Sequence, residues 1–597
     1  MTMKTEERSA VFALLDDCDA TAERRSSRLY TDFAHERVCV DARELDAVCG
    51  DIERDLRGGL HAVVVADYEF GRNLQFGSIG RGDDHALRVL MFRECARLSR
   101  DEVDAWLASE GDDLTAGVAG IEASVTRDEF DASIAAVQDA LREGESYQIN
   151  YTFRLNFDVF GAPLALYRRL RERQAVHYGA LIALPDGRTA VSCSPELFVE
   201  KQGDLLRARP MKGTAPRDAD PEALRHDPKN RAENVMIVDL LRNDMSRVAV
   251  TGSVNVPVLF SVEPYASVWQ MTSTIEARVI PGTSFAGIVR ALFPCGSITG
   301  APKYRTMQLI DEIESTPRGL YTGAIGWLDA SGDFCMSVAI RTIVVDAAGR
   351  RGVLGIGAGI VLDSVAADEY EECLLKARFL TGADPGFELF ETIYATRDEG
   401  VRHYARHVAR LTASAAYLGF AFDERALSAQ IGQHCAGFDA GKPYRMRIAL
   451  DKSGGIAMTS APLAPLPSDT VDVLLASDRG FAPQSSGDPL LRHKTTRRAD
   501  YDRAWKAAEA EGAFDMLFVN ERGELTEGGR SSVFVKMDGK WWTPPIDAGV
   551  LPGVMRAVLI DELGAAERTL TINDLQTAED LLISNALRGG VKARLRR

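Results

Sequence analysis

The sequence predicts a multidomain chain of mixed α and β structure. Three observations carry this. At 597 residues the chain exceeds what one hydrophobic core serves, so about two to four domains are expected. Hydrophobic residues make up 46% and charged residues 26%, the balance of a folded globular chain rather than a disordered one. Strand-type runs such as HAVVVADYEF alternate with helix-period runs such as HALRVLMFRECARL.

Composition also excludes function classes. A formal net charge of −17 disfavours nucleic acid and anionic membranes as partners. The C-terminal KARLRR is basic but short, and reads as a frayed tail. Nine cysteines stand singly with no C-x-x-C pair, which argues against a zinc site and a disulfide framework and suits a cytoplasmic location. MTMKTEERSAVFALLDD holds no apolar run long enough for a signal peptide, and no 18-residue apolar stretch predicts a membrane span.

Along the chain, Thr126 is placed to cap a helix that ends near Gly144, and YQINYTFRLNF follows as a strand. RTAVSCSPELFVEK reads as another strand. RARPMKGTAPR, at 207–217, holds Lys212 between Pro210 and Gly213, residues that restrict or free the backbone at a tight turn. AENVMIVDLLRND is an amphipathic helix, and GSITGAPK a turn leading into a helix. GIGAGIV puts three glycines in five residues, a pattern able to form an anion-binding nest. In DEYEECLLKA, Glu369, Glu372 and Lys376 fall on one helix face.

Together CSPELF, PMKGT, RAENVMIVDLLRND, GSITGAPK and GIGAGIVLDS…DEYEECLLKA resemble the chorismate-utilising enzymes: anthranilate, isochorismate and aminodeoxychorismate synthases. The resemblance covers roughly the first two thirds of the chain. It implies an α+β fold of two antiparallel sheets with outer helices, over residues 1–380. SAVFALLDD sits where some members have a tryptophan-site L-L-E-S motif, and the match is poor. The aminodeoxychorismate synthases carry lysine at the Lys212 position, where anthranilate synthases have alanine. By resemblance Lys212 is a covalent nucleophile toward chorismate and Glu196 a general acid. The arginines 207, 209 and 217 are expected to help depress the Lys212 pKa. Isochorismate synthases place a lysine at Gln148 to activate water. A glutamine cannot act as a base, so amination is favoured over hydration.

Glu233, Glu369 and Glu372 are expected to hold Mg²⁺, a hard cation that takes oxygen ligands. Thr214, Ser297, Thr299, Arg341, Gly359 and Lys376, with Gln148, are expected around the substrate, Arg341 pointing from a strand as a bidentate carboxylate partner. Gln270 and Asn230 depart from the family pattern. No G-x-C-x-G elbow is found, so ammonia must come from a separate glutamine amidotransferase subunit or from solution.

TGADPG reads as a linker at 381–386. From 387 to 597, FELFETIYATRDEG, H-x-x-R-L, LLRHKTTRR, LTEGGRSSVFV and LPGVMRA resemble the class IV pyridoxal-phosphate enzymes, which are two-lobed α/β folds. These include branched-chain and D-amino acid aminotransferases and aminodeoxychorismate lyase, and they are generally dimers. The resemblance implies Lys494 at the Schiff-base position, with Lys506 the weaker candidate, and Arg410 on the cofactor phosphate. Glu527 would sit on the pyridinium nitrogen. Gly553 and Val554 at a helix start would face the phosphate, with Ser584 and Asn585 closing the cup. Adjacency favours the lyase, because the product of the first half is its substrate. The joined activities would make 4-aminobenzoate for folate. An aminotransferase second half, an anthranilate synthase-like first half, and a non-catalytic metabolite sensor stay open at this point.

Overall fold

In the computed structural model, residues 11–77, 85–111, 115–264 and 268–596 are described. The chain folds as two compact units, Met1–Ala383 and Asp384–Arg597.

The first unit is built on an 18-stranded sheet whose pairings, among the described residues, are all antiparallel. Hydrogen bonding runs without a break from Gln148–Phe160 through Arg351–Ile360, Thr342–Val345, Thr189–Ser194 and Tyr178–Ala183 to Phe12–Asp16. It continues through Ser27–Cys39, Leu87–Leu98, His61–Ala66 and Ala324–Leu328 towards Val268–Arg278. The two expected sheets are thus two halves of one ribbon. Alternation along the strands shows two buried faces. In His61–Ala66, Val63 and Val65 join a core cluster with Ala180, Ile182 and Ile325. Ala62, Val64 and Ala66 join another, with Ile237 and Leu241 of the helix Pro228–Ser246. Strands buried on both faces read as unbroken apolar runs, as HAVVVA does.

Thr126 caps the helix Arg127–Arg142 in a reciprocal capping box with Glu129, as its S/T-x-x-E spacing dictates. Other elements differ from the sequence reading. HALRVLMFRECARL has helical spacing, yet Leu87–Leu98 is a strand, paired on both edges with Ser27–Cys39 and His61–Ala66. Pairing and two-sided burial override a short apolar period. HAVVVADYEF divides into the strand His61–Ala66 and the helix Tyr68–Phe76. KARL is no frayed tail: Gly589–Leu595 is a strand paired to Asp580–Asn585 and, in parallel, to Thr470–Leu475. The start of SAVFALLDD lies outside the described residues.

The second unit has two lobes. One is a four-stranded antiparallel sheet including Leu389–Thr396 and Tyr444–Leu450, with the helices Tyr404–Leu418 and Glu424–Ala436. The other is an eight-stranded mixed sheet with the helix Val554–Leu563.

A buried ionic knot fixes the first unit behind Gln148. Arg318 pairs with Glu314 at 2.6 Å, both side chains being almost fully buried. The guanidinium also donates to the carbonyls of Ile298 (2.9 Å) and Asn150 (2.7 Å), and Glu314 accepts from the Thr152 N–H at 2.8 Å. Glu314→Gln leaves that guanidinium uncompensated and should cost about 3–5 kcal/mol. Glu314→Leu with Arg318→Met should cost less than Glu314→Gln alone, a comparison that urea denaturation of the three proteins measures.

Candidate functional site

Lys212 opens the first site. It lies on the strand Met211–Pro216, which pairs with Val268–Arg278. Gly213 has φ 90°, and a Cβ there would press on Asn230 at 3.0 Å, so only glycine serves. Gln270 donates to the Gly213 carbonyl (3.0 Å) and accepts from the Thr214 hydroxyl (3.1 Å). Gln270 therefore braces the strand segment that follows Lys212, and Asn230 lies against Gly213.

Three chain segments meet at the amine. Gln148 begins the strand Gln148–Phe160 and is 1% exposed. Gly359, on the paired strand, has no side chain where a Cβ would run into the Gln148 amide and would stand 3.5 Å from Lys212 Nζ. Glu196 is 4% exposed; its carboxyl takes hydrogen bonds from the Ser297 hydroxyl and the Met211 N–H, while Oε1 has no protein partner. Gln148 Oε1 is likewise buried and unpartnered. Two orphaned acceptors beside a buried amine mark a polar ligand site. Burial pushes the Glu196 carboxyl up and the Lys212 amine down, and Lys376 nearby lowers Lys212 further, against the pull of Glu196 and Glu233.

The three glutamates sit on the helices Pro228–Ser246 and Ala366–Thr381. Burial, with the neighbouring glutamates adding to it, raises Glu233 and Glu369. Glu369 accepts from the Ser364 hydroxyl at 2.7 Å. Glu372 is lowered chiefly by Lys376, which pairs with it at 2.8 Å and donates to the Gly357 carbonyl at 2.9 Å. Oxygen-only donors on two helices, repelling one another, suit a hard divalent cation in donor chemistry. Their oxygens do not converge within 4.8 Å.

The second site is a cavity of about 330 Å³ lined by Lys494, Arg410, Glu527, Gly553, Val554 and Ser584 among others. Burial, then Arg498 and Arg410, push the Lys494 amine down to about 7. Its Nζ stands 4.6 Å from the centre of the Phe390 ring. Burial pushes the Glu527 carboxyl up to about 7; its Oε2 accepts from the Leu551 N–H at 3.2 Å. Arg410 is gripped by Glu391 (Nε–Oε1 2.9 Å) and donates to the Pro552 carbonyl at 3.2 Å. Burial alone would raise Glu391, but Arg410 and His407 hold it down to about 2. Ser584 Oγ is buried without a protein partner. An acid, a near-neutral amine, an arginine and a partnerless hydroxyl around one cavity fit pyridoxal phosphate.

Residues 20–382 match the model of the chorismate binding enzymes. The chain belongs to this family. Residues 388–595 match the amino-transferase class IV model. Aminodeoxychorismate synthase component 1 of Bacillus subtilis (strain 168) is 37% identical over 303 residues, 50% of this chain and 63% of that protein. Its counterpart in Klebsiella aerogenes is 40% identical over 304 residues, 48% of this chain and 65% of that protein. The match thus spans less than two thirds of either relative. The menaquinone-specific isochorismate synthase MenF of Escherichia coli shares the fold at TM-score 0.50 and 16% identity, covering 63% of this chain and 89% of that one.

Within this chorismate binding enzyme several predicted residues hold other posts. GIGAGIV forms no nest: Gly355, Gly357 and Gly359 lie in the regular strand Arg351–Ile360 and none has positive φ. The glycines give clearance instead, Gly355 to the Tyr321 ring and Gly359 to Gln148. Thr214 is exposed and its hydroxyl is committed to Gln270. Thr299 is fully buried and donates to the carbonyls of Cys295 and Gly296. Arg341 does not point from within a strand; it precedes Thr342–Val345 in a left-handed conformation, φ 50°. The arginines do not depress Lys212: Arg207 pairs with Glu200 and Glu276, Arg209 with Glu263, and Arg217 lies over Trp269.

In the class IV domain, the Gly553 N–H donates to the Leu551 carbonyl, so of the predicted pair only Val554 offers a helix-start N–H. Asn585 caps the following turn, accepting from Leu587 and Arg588, and lines the cavity together with Ser584. Lys506 is exposed on the helix Ala499–Ala510 and lines no part of the cavity. Sequence reasoning missed Glu391. Its signal was the one acid of the strand Leu389–Thr396, LFETIYAT, facing H-x-x-R.

The lowered Lys494 value has a stability consequence. Its unfolded value lies near 10.4, so between about pH 7 and 10 the unfolded chain binds the extra proton and stability rises with pH. Lys494→Met should flatten that rise, read from urea midpoints of the cofactor-free protein at pH 7 and pH 9.

Proposed function

We propose that the first unit aminates chorismate to 4-amino-4-deoxychorismate and that the second removes pyruvate to leave 4-aminobenzoate, a folate precursor. The observation that carries the reading is the Lys212 amine, which burial pushes down, beside the buried Glu196 carboxyl, which burial pushes up. Neutral Lys212 attacks C2 of the ring as the C4–O bond breaks, and the leaving hydroxyl takes the Glu196 proton to depart as water. Ammonia then attacks C4 and the C2–N bond breaks, returning the amine to Lys212. A proton from the new amine restores Glu196. Gln148 offers its amide to the substrate and no base for water, which supports amination over hydration. Glu233, Glu369 and Glu372 would hold Mg²⁺, which would neutralise a substrate carboxylate. Ammonia would reach this unit from a separate amidotransferase, the arrangement that the name "component 1" of the relatives implies for them.

In the second unit Arg410, Val554, Ser584 and Glu527 would hold pyridoxal phosphate, which supplies an electron sink when bound. Lys494, its amine pushed down to about 7 and so partly neutral at that pH, takes the proton from the ring carbon bearing the amine. It returns a proton to the departing enolpyruvyl unit as the ring C–O bond breaks. Class IV relatives generally pair as dimers, and the same is proposed here.

Chorismate with ammonium salts should yield 4-aminobenzoate and pyruvate in equal amounts. Lys494→Ala should stop at 4-amino-4-deoxychorismate. Product that appears only when a 2-oxo acid is added would overturn the lyase assignment in favour of an aminotransferase. Glu196→Gln should slow the first conversion by about 10²–10⁴-fold, with bound substrate still detectable by calorimetry. Full ammonia-dependent turnover in Lys212→Ala would exclude the covalent route.

A further inference from the structure

We infer that Asp17, Cys18 and His177 form a binding site for a divalent transition-metal ion of the zinc type. The scattered cysteines argue against such a site in the sequence, but the fold joins residues 159 positions apart. Phe12–Asp16 pairs antiparallel with Tyr178–Ala183, Asp16 facing Gly179, and the Cys18 N–H donates to the Val176 carbonyl at 3.0 Å. The backbone therefore fixes the loop bearing Asp17 and Cys18 against the residue that precedes Tyr178.

His177 Nδ1 stands 3.9 Å from Cys18 Sγ and 3.4 Å from Asp17 Oδ1, and the three donor atoms lie within 4.8 Å of one another. Tetrahedral zinc with bonds of about 2.0–2.3 Å separates its ligand atoms by about 3.3–3.6 Å. Shifts of a few tenths of an ångström would complete the geometry. Thiol and carboxylate both converge on Nδ1. A Cys–His–Asp relay needs the carboxylate and the thiol on opposite ring nitrogens, so the arrangement is one of ligands around a point, not of a nucleophile with its base.

Supporting contacts are present. The Ser26 hydroxyl donates to Asp17 Oδ2 at 2.6 Å, leaving Oδ1 towards the ring, and an Asp19 carboxylate oxygen lies 3.6 Å from Nδ1. Such outer contacts orient metal ligands. The side chains of His177 and Asp17 are 32% and 21% exposed, so an ion has access and a water can fill a fourth position. The sulfur and imidazole donors select a borderline ion over Mg²⁺. Binding displaces the thiol proton and the proton on Nδ1. The ion would tie the Asp17–Cys18 loop to the segment entering Tyr178–Ala183.

Cobalt(II) titration of the chelator-treated full-length protein tests this. The expected result is one tight site per chain with a near-ultraviolet thiolate-to-cobalt charge-transfer band, bleached by one equivalent of zinc. Cys18→Ser and His177→Ala should abolish the band, Ser26→Ala should weaken affinity by about 10–100-fold, and Glu233→Gln should keep it. Zinc should raise the melting temperature of the wild type but not of Cys18→Ser, whose fold circular dichroism checks independently. Absence of the band in the wild type, or its persistence in Cys18→Ser, overturns the proposal.

Discussion

Withdrawal of a lysine amine from water is the constraint around which each unit is arranged. An ammonium loses its hydration when buried, and at both lysines this is the largest influence on the amine. The units then treat the amine differently. Around Lys212, carboxylates oppose the shift, and burial moves Glu196 in the other direction. Burial thus moves both members of the pair towards their neutral forms, the forms a nucleophile and an acid need, while their mutual attraction opposes it. Around Lys494, two arginines add to the effect of burial, and the amine is poised near neutrality.

Each amine is held by its surroundings rather than by its own flexible stem. Lys212 rides on an irregular strand segment whose Gly213 has positive φ and lies against Asn230, with Gln270 tying Gly213 and Thr214. Lys494 is fixed through its carbonyl, which accepts from the Phe390 N–H at 2.9 Å. Arg318 performs a comparable service behind Gln148, joining the strand Gln148–Phe160 to the loop that supplies Ser297.

Much of this was legible in the sequence, and the failures have physical causes. Lys212, Glu196, Gln148 and Gly359 lie near one another, and the strand signals around them were strong and local. Thr126 announced its helix for the same reason. Leu87–Leu98 was misread because its first half, Leu87–Phe92, is largely buried on both faces and loses the alternation that distinguishes a strand from a helix. Thr214, Thr299 and Asn585 have the right chemistry, but their hydrogen bonds are committed to nearby chain, which spacing cannot reveal. Glu391 escaped because its partners lie on a following helix, and an acid within an apolar strand gives no sign of what it faces.

The strand Arg351–Ile360 presents glycine at 355, 357 and 359, where it runs beside Gln148–Phe160. A bare floor of this kind carries no side chain that mutation could gradually reshape. Any added atom collides with a neighbour before it can reach a ligand. Evolutionary retuning of the ground beside Lys212 is thereby left to the side chains that face this strand, and the glycines are inherited unchanged or lost outright.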